Sequence, residues 1–335
     1  MRAWQIKRYG EPLEALSQAQ VPLPDPGPGE LRVRVEAAGL GLPDVFMCRG
    51  HYAFRPELPF TPGQEVVGFV TAAGAGATTE LGSRVMAVTA FFRGPGGLAD
   101  EALALDAAAY RAPAEMDAAT AAGFVIPYHT AYLGLVTRGR LQPGETLLVL
   151  GAAGGTGAAA IQLGKALGAR VIAVAGGEAK VEACREWGAD LAIDHERASF
   201  AEVVKEETGG LGVDCIYDPV GGSAFAAALE CLASEGRLLA VGYASGAWSD
   251  ASTQTLVRRN ASVLGVFVGA YAKPLLDEVH STLLDFWRRG AIRSIVTRAV
   301  DWSDAAKALH ELSLRRSSGK TVVRVVENAA GTANS

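Results

Sequence analysis

Cysteine is scarce in this chain of 335 residues: Cys48, Cys184, Cys215 and Cys231 stand far apart, and no two form a Cys-x-x-Cys pair. That spacing supports neither a disulfide framework nor a zinc knuckle. Cys48 and His51 stand three apart, but no third or fourth ligand is near them in sequence. Long apolar runs are missing too. None approaches the roughly 18 residues of a membrane span, so no membrane partner is expected. Basic residues are in deficit, with a net charge of −5 and no Lys/Arg run. Nucleic acid is therefore a poor partner, because phosphate binding needs a basic surface. The start, Met1-Arg2-Ala3-Trp4-Gln5, has no signal-peptide apolar core, and the expected location is cytoplasmic. No Ser-His-Asp set or paired carboxylate marks a catalytic centre.

What the chain has in quantity is glycine, and one group of glycines is diagnostic. Leu147-Leu148-Val149-Leu150 is a short apolar run, followed by Gly151-Ala152-Ala153-Gly154-Gly155-Thr156-Gly157. A helical pattern then runs from Ala158 to Leu167, and a second apolar run from Arg170 to Ala175. Strand, glycine turn, helix, strand is the context that gives such a motif meaning. Glycine has no Cβ to block close approach of the backbone to a pyrophosphate, and the helix start that follows offers N–H groups and a positive dipole end. The cradle expected is Gly154, Gly155, Thr156 and Gly157. In such sheets an acid at the tip of the second strand accepts the adenosine ribose 2′-hydroxyl. Here the tip is Gly176-Gly177. Glu178 follows and argues for NADH. Lys180 follows in turn and would pair with a 2′-phosphate. The missing acid and nearby base favour NADPH over NADH.

The surrounding pattern divides the chain. Up to about residue 120 it is β-rich: Leu31–Ala37 alternates apolar and charged, Glu65–Ala72 and Arg84–Thr89 are further strands, and Pro22, Pro24, Pro26 and Pro28 form an extended connector. A meander or partial barrel is expected there. Ala118–Thr137 predicts a helix broken or kinked at Pro127. Strands Leu147–Leu150, Val171–Ala175, Leu191–Asp194, Val213–Tyr217, Leu238–Val241 and Val263–Val268 then alternate with helical patterns, which predicts a six-strand doubly wound parallel sheet of α/β class. Helices at Pro274–Arg289 and Ser303–Leu314 and a strand at Thr321–Val326 follow.

In this setting the chain resembles the medium-chain dehydrogenase/reductase superfamily, and within it the zinc-free quinone oxidoreductases. The resemblance spans almost the whole chain. It rests on Val35-Glu36-Ala37-Ala38-Gly39-Leu40, Pro43-Asp44-Val45, Leu58-Pro59-Phe60-Thr61-Pro62-Gly63, Thr130-Ala131-Tyr132, Leu141-Gln142-Pro143-Gly144-Glu145, the glycine turn, Trp187-Gly188-Ala189-Asp190 and Ser318-Gly319-Lys320. It implies a GroES-like catalytic domain at 1–122, a Rossmann domain at 123–269 and a return to the first domain at 270–327; the small, polar end at 328–335 is expected to be a disordered tail. It also implies that zinc is absent: Gly41 stands where zinc-dependent relatives have a cysteine, and Gln64 where they have a histidine. The structural-zinc loop has no cysteine in the matching stretch, Phe91–Glu101.

The resemblance further implies NADPH lying across the carboxyl ends of the sheet. Its contacts would include Thr130 and Gly176, Gly242 and Tyr243 at the adenosine or ribose, and Phe267 and Gly269 at the nicotinamide. Gly41 replaces the asparagine usual beside the nicotinamide, His195 replaces a tyrosine near the adenosine phosphate, and Gly177 a hydroxyl residue. Hydride would pass to a small electrophile, a quinone or enone, with Tyr52 and Tyr128 as candidate proton donors. A 2-enal or enoyl-thioester reductase, and a non-catalytic nucleotide-binding or structural protein, are the alternatives. Ser262–Val268, apolar and uncharged, is the expected outermost strand, and a homodimer through it is expected.

Overall fold

The computed structural model describes residues 1–325; the tail expected at 328–335 lies outside them. Two compact units share the chain: Met1–Ile126 with the segment from Ser294 onward, and Pro127–Arg293.

The first unit begins with a hairpin, β1 (Arg2–Ile6) against β2 (Leu16–Gln20). Then come β3 (Glu30–Leu40), β4 (Glu65–Ala73), β5 (Arg84–Thr89) and β6 (Glu101–Arg111). These four pair antiparallel in order, and β6 returns to pair with β3. Closing the sheet on itself removes the open edges of a meander. Alternation decides which side chains fill it: Leu31, Val33 and Val35 are buried while Arg34 faces water. At Glu36 a bulge shifts the register against β4, and Ala37 to Leu40 are all buried beyond it.

The second unit is built on β7 (Thr146–Val149), β8 (Arg170–Ala175), β9 (Leu191–Asp194), β10 (Val213–Asp218), β11 (Leu232–Ala240) and β12 (Ser262–Gly265). All pairings are parallel, and the spatial order is β12-β11-β10-β7-β8-β9. The order reverses between β7 and β10, so loops leaving the carboxyl ends of those strands diverge and open a crevice. Leu148, Ile172, Val174, Ile216 and Leu238 fill one core of this sheet. The chain then adds β13 (Val296–Val300) and β14 (Lys320–Arg324) to the first unit, with β14 antiparallel to β3. Among the described residues no helix is long and apolar enough to cross a membrane.

Several boundaries differ from expectation. The helix predicted over Ala118–Thr137 is three pieces, Ala118–Ala122, Val125–Tyr132 and a π-helical stretch Leu133–Arg138. The break falls at Gly123, where a Cβ would meet Val296 at 2.8 Å and Lys320 at 3.1 Å. Pro127 instead sits in the first turn of a helix, where its missing N–H costs nothing. The outermost strand stops at Gly265 because Val268–Ala270 turns into a short 3-10 helix. The return to the first unit comes at Ser294, not at 270. Helix Lys273–Arg288 stays with the second unit, where its His280 is buried against His129.

Candidate active site

The glycine turn is built by its own crowding. Gly151 has a left-handed φ of 54°, which a side chain would strain. A Cβ on Gly157 would lie 2.5 Å from the Gly151 carbonyl oxygen and 2.7 Å from Ala152 Cα. Gly154 precedes helix Gly155–Ala166, and no side chain caps that helix. The first-turn N–H groups at Gly155, Thr156 and Gly157 therefore form a cradle that a pyrophosphate fits.

The other expected cofactor positions of the second unit gather at the carboxyl ends of neighbouring strands. Gly176 and Lys180 follow β8, and His195 follows β9. Lys180 is half-buried in the first turn of helix Glu178–Glu186. Gly242 and Tyr243 follow β11, and the Tyr243 ring stacks on Trp248 with centroids 4.3 Å apart. Beyond β12, the Phe267 ring folds over Gly269, 2.7 Å from where a Cβ would stand. Thr130 lies on helix Val125–Tyr132.

Gly41 and Tyr52 belong to the first unit. Gly41 starts helix Leu42–Cys48, and its N–H donates to Asp44 Oδ2 at 2.9 Å. The Gly63 N–H donates to Asp44 Oδ1, also at 2.9 Å. Burial pushes the Asp44 carboxyl up to about 6, against the pull of those two N–H groups and of Lys320. Lys320 and Glu65 form a buried ion pair in the same cluster, and Glu65 Oε2 accepts the Ile126 N–H at 3.0 Å. The Gly41 turn thus rests on a buried polar cluster. In the sequence Asp44 and Lys320 stand only within the motifs Pro43-Asp44-Val45 and Ser318-Gly319-Lys320, with nothing local to show that they meet. Gln64, also buried, directs its amide to Met47 Sδ at 3.7 Å.

The two tyrosines part company. Tyr52 is partly buried and packs against Phe91, with ring centroids 6.3 Å apart. Tyr128 is 1% exposed, and its hydroxyl donates to the Arg293 carbonyl at 2.5 Å. Burial also drives its phenol far above the ordinary range. Tyr128 is corrected from proton donor to packing residue, because its proton is already committed and no surface is left to meet a substrate.

Two further features escaped the sequence. The Glu196 carboxylate reaches the tip of β8, 2.7 Å from the Cβ position of Gly176. His129 Nε2 meets His280 Nδ1 at 3.0 Å in the interior. The second pairs residues 151 apart, and no local pattern announces such a contact.

Comparison with known proteins agrees with this fold. The alcohol dehydrogenase GroES-like domain model matches residues 27–113, and the zinc-binding dehydrogenase model matches residues 155–286. A quinone oxidoreductase-like protein 2 homolog of Nematostella vectensis is 35% identical over 86% of this chain and 79% of that protein. The crystal structure of a probable oxidoreductase from Mycobacterium abscessus superimposes with a TM-score of 0.84 at 37% identity, covering 97% of this chain and 98% of the other. Escherichia coli quinone oxidoreductase, solved in complex with NADPH, has a TM-score of 0.86 at 27% identity, with 97% and 100% covered. Through the glycine turn, the sheet order and these matches, the chain belongs to the quinone oxidoreductases of the medium-chain dehydrogenase/reductase superfamily.

Proposed function

We propose that this protein is a zinc-independent, NADPH-dependent oxidoreductase that reduces a quinone or an activated alkene. The observation that carries the reading is the helix start at Gly154–Gly157, which no side chain caps and where Thr156 alone carries a side chain beyond glycine. The cofactor, when bound, supplies the hydride. The chain's part is to cradle the pyrophosphate with those N–H groups and to hold the ribose ends against the loops after β8, β9 and β11. Zinc independence follows from the donor set. Gly41 has no ligand atom, and the Gln64 amide is a poor one for zinc. Without a Lewis acid to stabilise an alkoxide, an acceptor that is already electrophilic is the better substrate. Quinone reduction also needs no protein proton donor, which suits a chain whose Tyr128 is spent on Arg293.

The test is steady-state NADPH oxidation against quinones, enals and enones, with and without a chelator. Turnover of quinones that survives chelation is expected. One equivalent of zinc per chain, or activity lost on chelation, would sink the zinc-free reading. A second expected result concerns Lys180. Lys180→Ala removes a charge-assisted contact worth about 1.5–3 kcal/mol, so NADPH binding should weaken at least tenfold and NADH binding should hold. Equal losses would make Lys180 structural.

The assembly proposed is a homodimer joined at β12, which forms one edge of its sheet. The Val266 N–H donates to Ala240 within the chain at 3.0 Å. By alternation Val263 and Gly265 face the open side, where Arg138 Nε already donates to the Gly265 carbonyl at 3.1 Å. Val263→Pro removes an outward donor without touching the β11 pairing. Light scattering should show a dimer for the wild type and a monomer for this variant. A monomeric wild type at micromolar concentration counts against the edge-strand contact.

A further inference from the structure

The tip of β8 carries no acid of its own, but the neighbouring strand supplies one. The backbone after β9 is laid onto that tip: the His195 N–H donates to the Ala175 carbonyl at 3.1 Å. Asp194 Oδ1 then accepts both the Gly177 N–H at 2.9 Å and the Glu196 N–H at 3.0 Å. These amides hold the Asp194 carboxyl below its ordinary range. Fixed in this way, Glu196 places Oε1 2.7 Å and Oε2 3.9 Å from the Cβ positions of Gly176 and Gly177 respectively. Neither glycine has a side chain to push the carboxylate away. The nearest arginine is no counterweight. Arg197 divides its guanidinium between Asp194 and Glu178, each at 3.5 Å. Asp194 and Glu196 thus flank the tip, Glu178 is tied to it through Arg197, and the His195 ring lies beside them with Nε2 2.9 Å from the Cβ position of Gly176.

In a dinucleotide sheet this tip is where the adenosine ribose 2′-position lies, and an acid there selects the hydroxyl over the phosphate. We propose that Glu196 is the specificity-determining residue of this site: it stands in from β9 for the acid missing from β8, accepts a ribose 2′-hydroxyl, and repels a 2′-phosphate. It therefore works against Lys180 and keeps the discrimination between NADPH and NADH narrow. Glu196 is exposed, so its removal leaves the core intact. The inference rests on dinucleotide binding at the glycine turn, and the test separates the two.

Wild type and Glu196→Gln are titrated by calorimetry with NADPH and NADH, and with adenosine 2′,5′-bisphosphate and AMP as probes of the adenosine end alone. Glu196→Gln should tighten NADPH and the bisphosphate about tenfold, the size of one partly screened charge contact. NADH and AMP should stay within about twofold, or weaken, and the gain should shrink at high salt. Glu196→Lys should move the phosphorylated pair further in the same direction. Equal shifts for both pairs, or none for either, overturn the role of Glu196. A wild type that binds neither dinucleotide overturns the cofactor reading, and this proposal with it.

Discussion

Lys320→Met is expected to lower the stability of the first unit by about 3–5 kcal/mol, the range found when one member of a buried ion pair is removed. Lys320 and Glu65 are 7% and 2% exposed at their side chains. Glu65 keeps one further partner, the Ile126 N–H. With the ammonium gone, its carboxylate is left charged in the interior beside Asp44, which burial already pushes up to about 6. Two like charges then share a site from which water is excluded, and the cheaper outcome is to open it. Hydrogen exchange of the β3 and β14 amides would read this loss locally, without assuming that both units unfold together.

The double variant Glu65→Gln/Lys320→Met separates charge from packing. Glutamine keeps an oxygen for the Ile126 N–H and removes the carboxylate, so at least half of the loss should return. A Lys320→Met protein within about 1 kcal/mol of wild type would mean that solvent already screens the pair. The cluster bears on function through position. Lys320 Nζ lies 3.9 Å from where a Cβ on Gly41 would stand, and Asp44 holds the Gly41 and Gly63 N–H groups.

The parallel sheet was legible because its strands are short apolar runs with punctuation the chain cannot hide. Leu147–Leu150 ends in glycines, and Arg170–Ala175 is buried on both faces and so reads as continuous. β6 was not legible. Its sequence, Glu-Ala-Leu-Ala-Leu-Asp-Ala-Ala-Ala-Tyr-Arg, favours helix by propensity, and only pairing with β3 and β5 makes it a strand. β1, five residues long, gains its place from β2 and carries little signal alone.

The candidate site divides along the same line. The glycine turn is local, so spacing reveals it. The acid at the β8 tip is not local: inspection of residues 173–178 finds none before Glu178, while Glu196 arrives from another strand. Tyr128 shows the reverse error. A tyrosine on a helix has one composition whether its hydroxyl meets a substrate or a buried carbonyl, and only the Arg293 contact decides.

Acid should destabilise the second unit through its histidine pair, starting well above the carboxylate range. His129 on helix Val125–Tyr132 and His280 on helix Lys273–Arg288 hydrogen-bond ring to ring and are both buried. Desolvation penalises either cation, and a charge on His280 further disfavours one on His129. Burial therefore pushes His280 down to about 4, and burial with the neighbouring His280 pushes His129 well below its ordinary 6.5. At His280 the Asp277 carboxylate opposes this shift and the Lys273 ammonium reinforces it.

The sign follows from proton counting. Below pH 6.5 the unfolded chain binds protons at both positions and the folded chain binds none, so acid favours unfolding. The loss is about 1.4 kcal/mol per pH unit for each histidine, and for His280 it continues to about pH 4. Between pH 6.5 and 5 the pair alone should then cost roughly 3 kcal/mol, because each unfolded histidine is only half protonated at the start of that window. The comparison that isolates it is His129→Gln/His280→Asn, in which the amides take over from Nε2 and Nδ1 without titrating. Denaturation midpoints of this variant should be nearly flat over that window, while the wild type falls steeply. Parallel profiles would show that the pair is already protonated in the folded chain, or reaches solvent, and would remove the buried neutral pair as the source of acid lability.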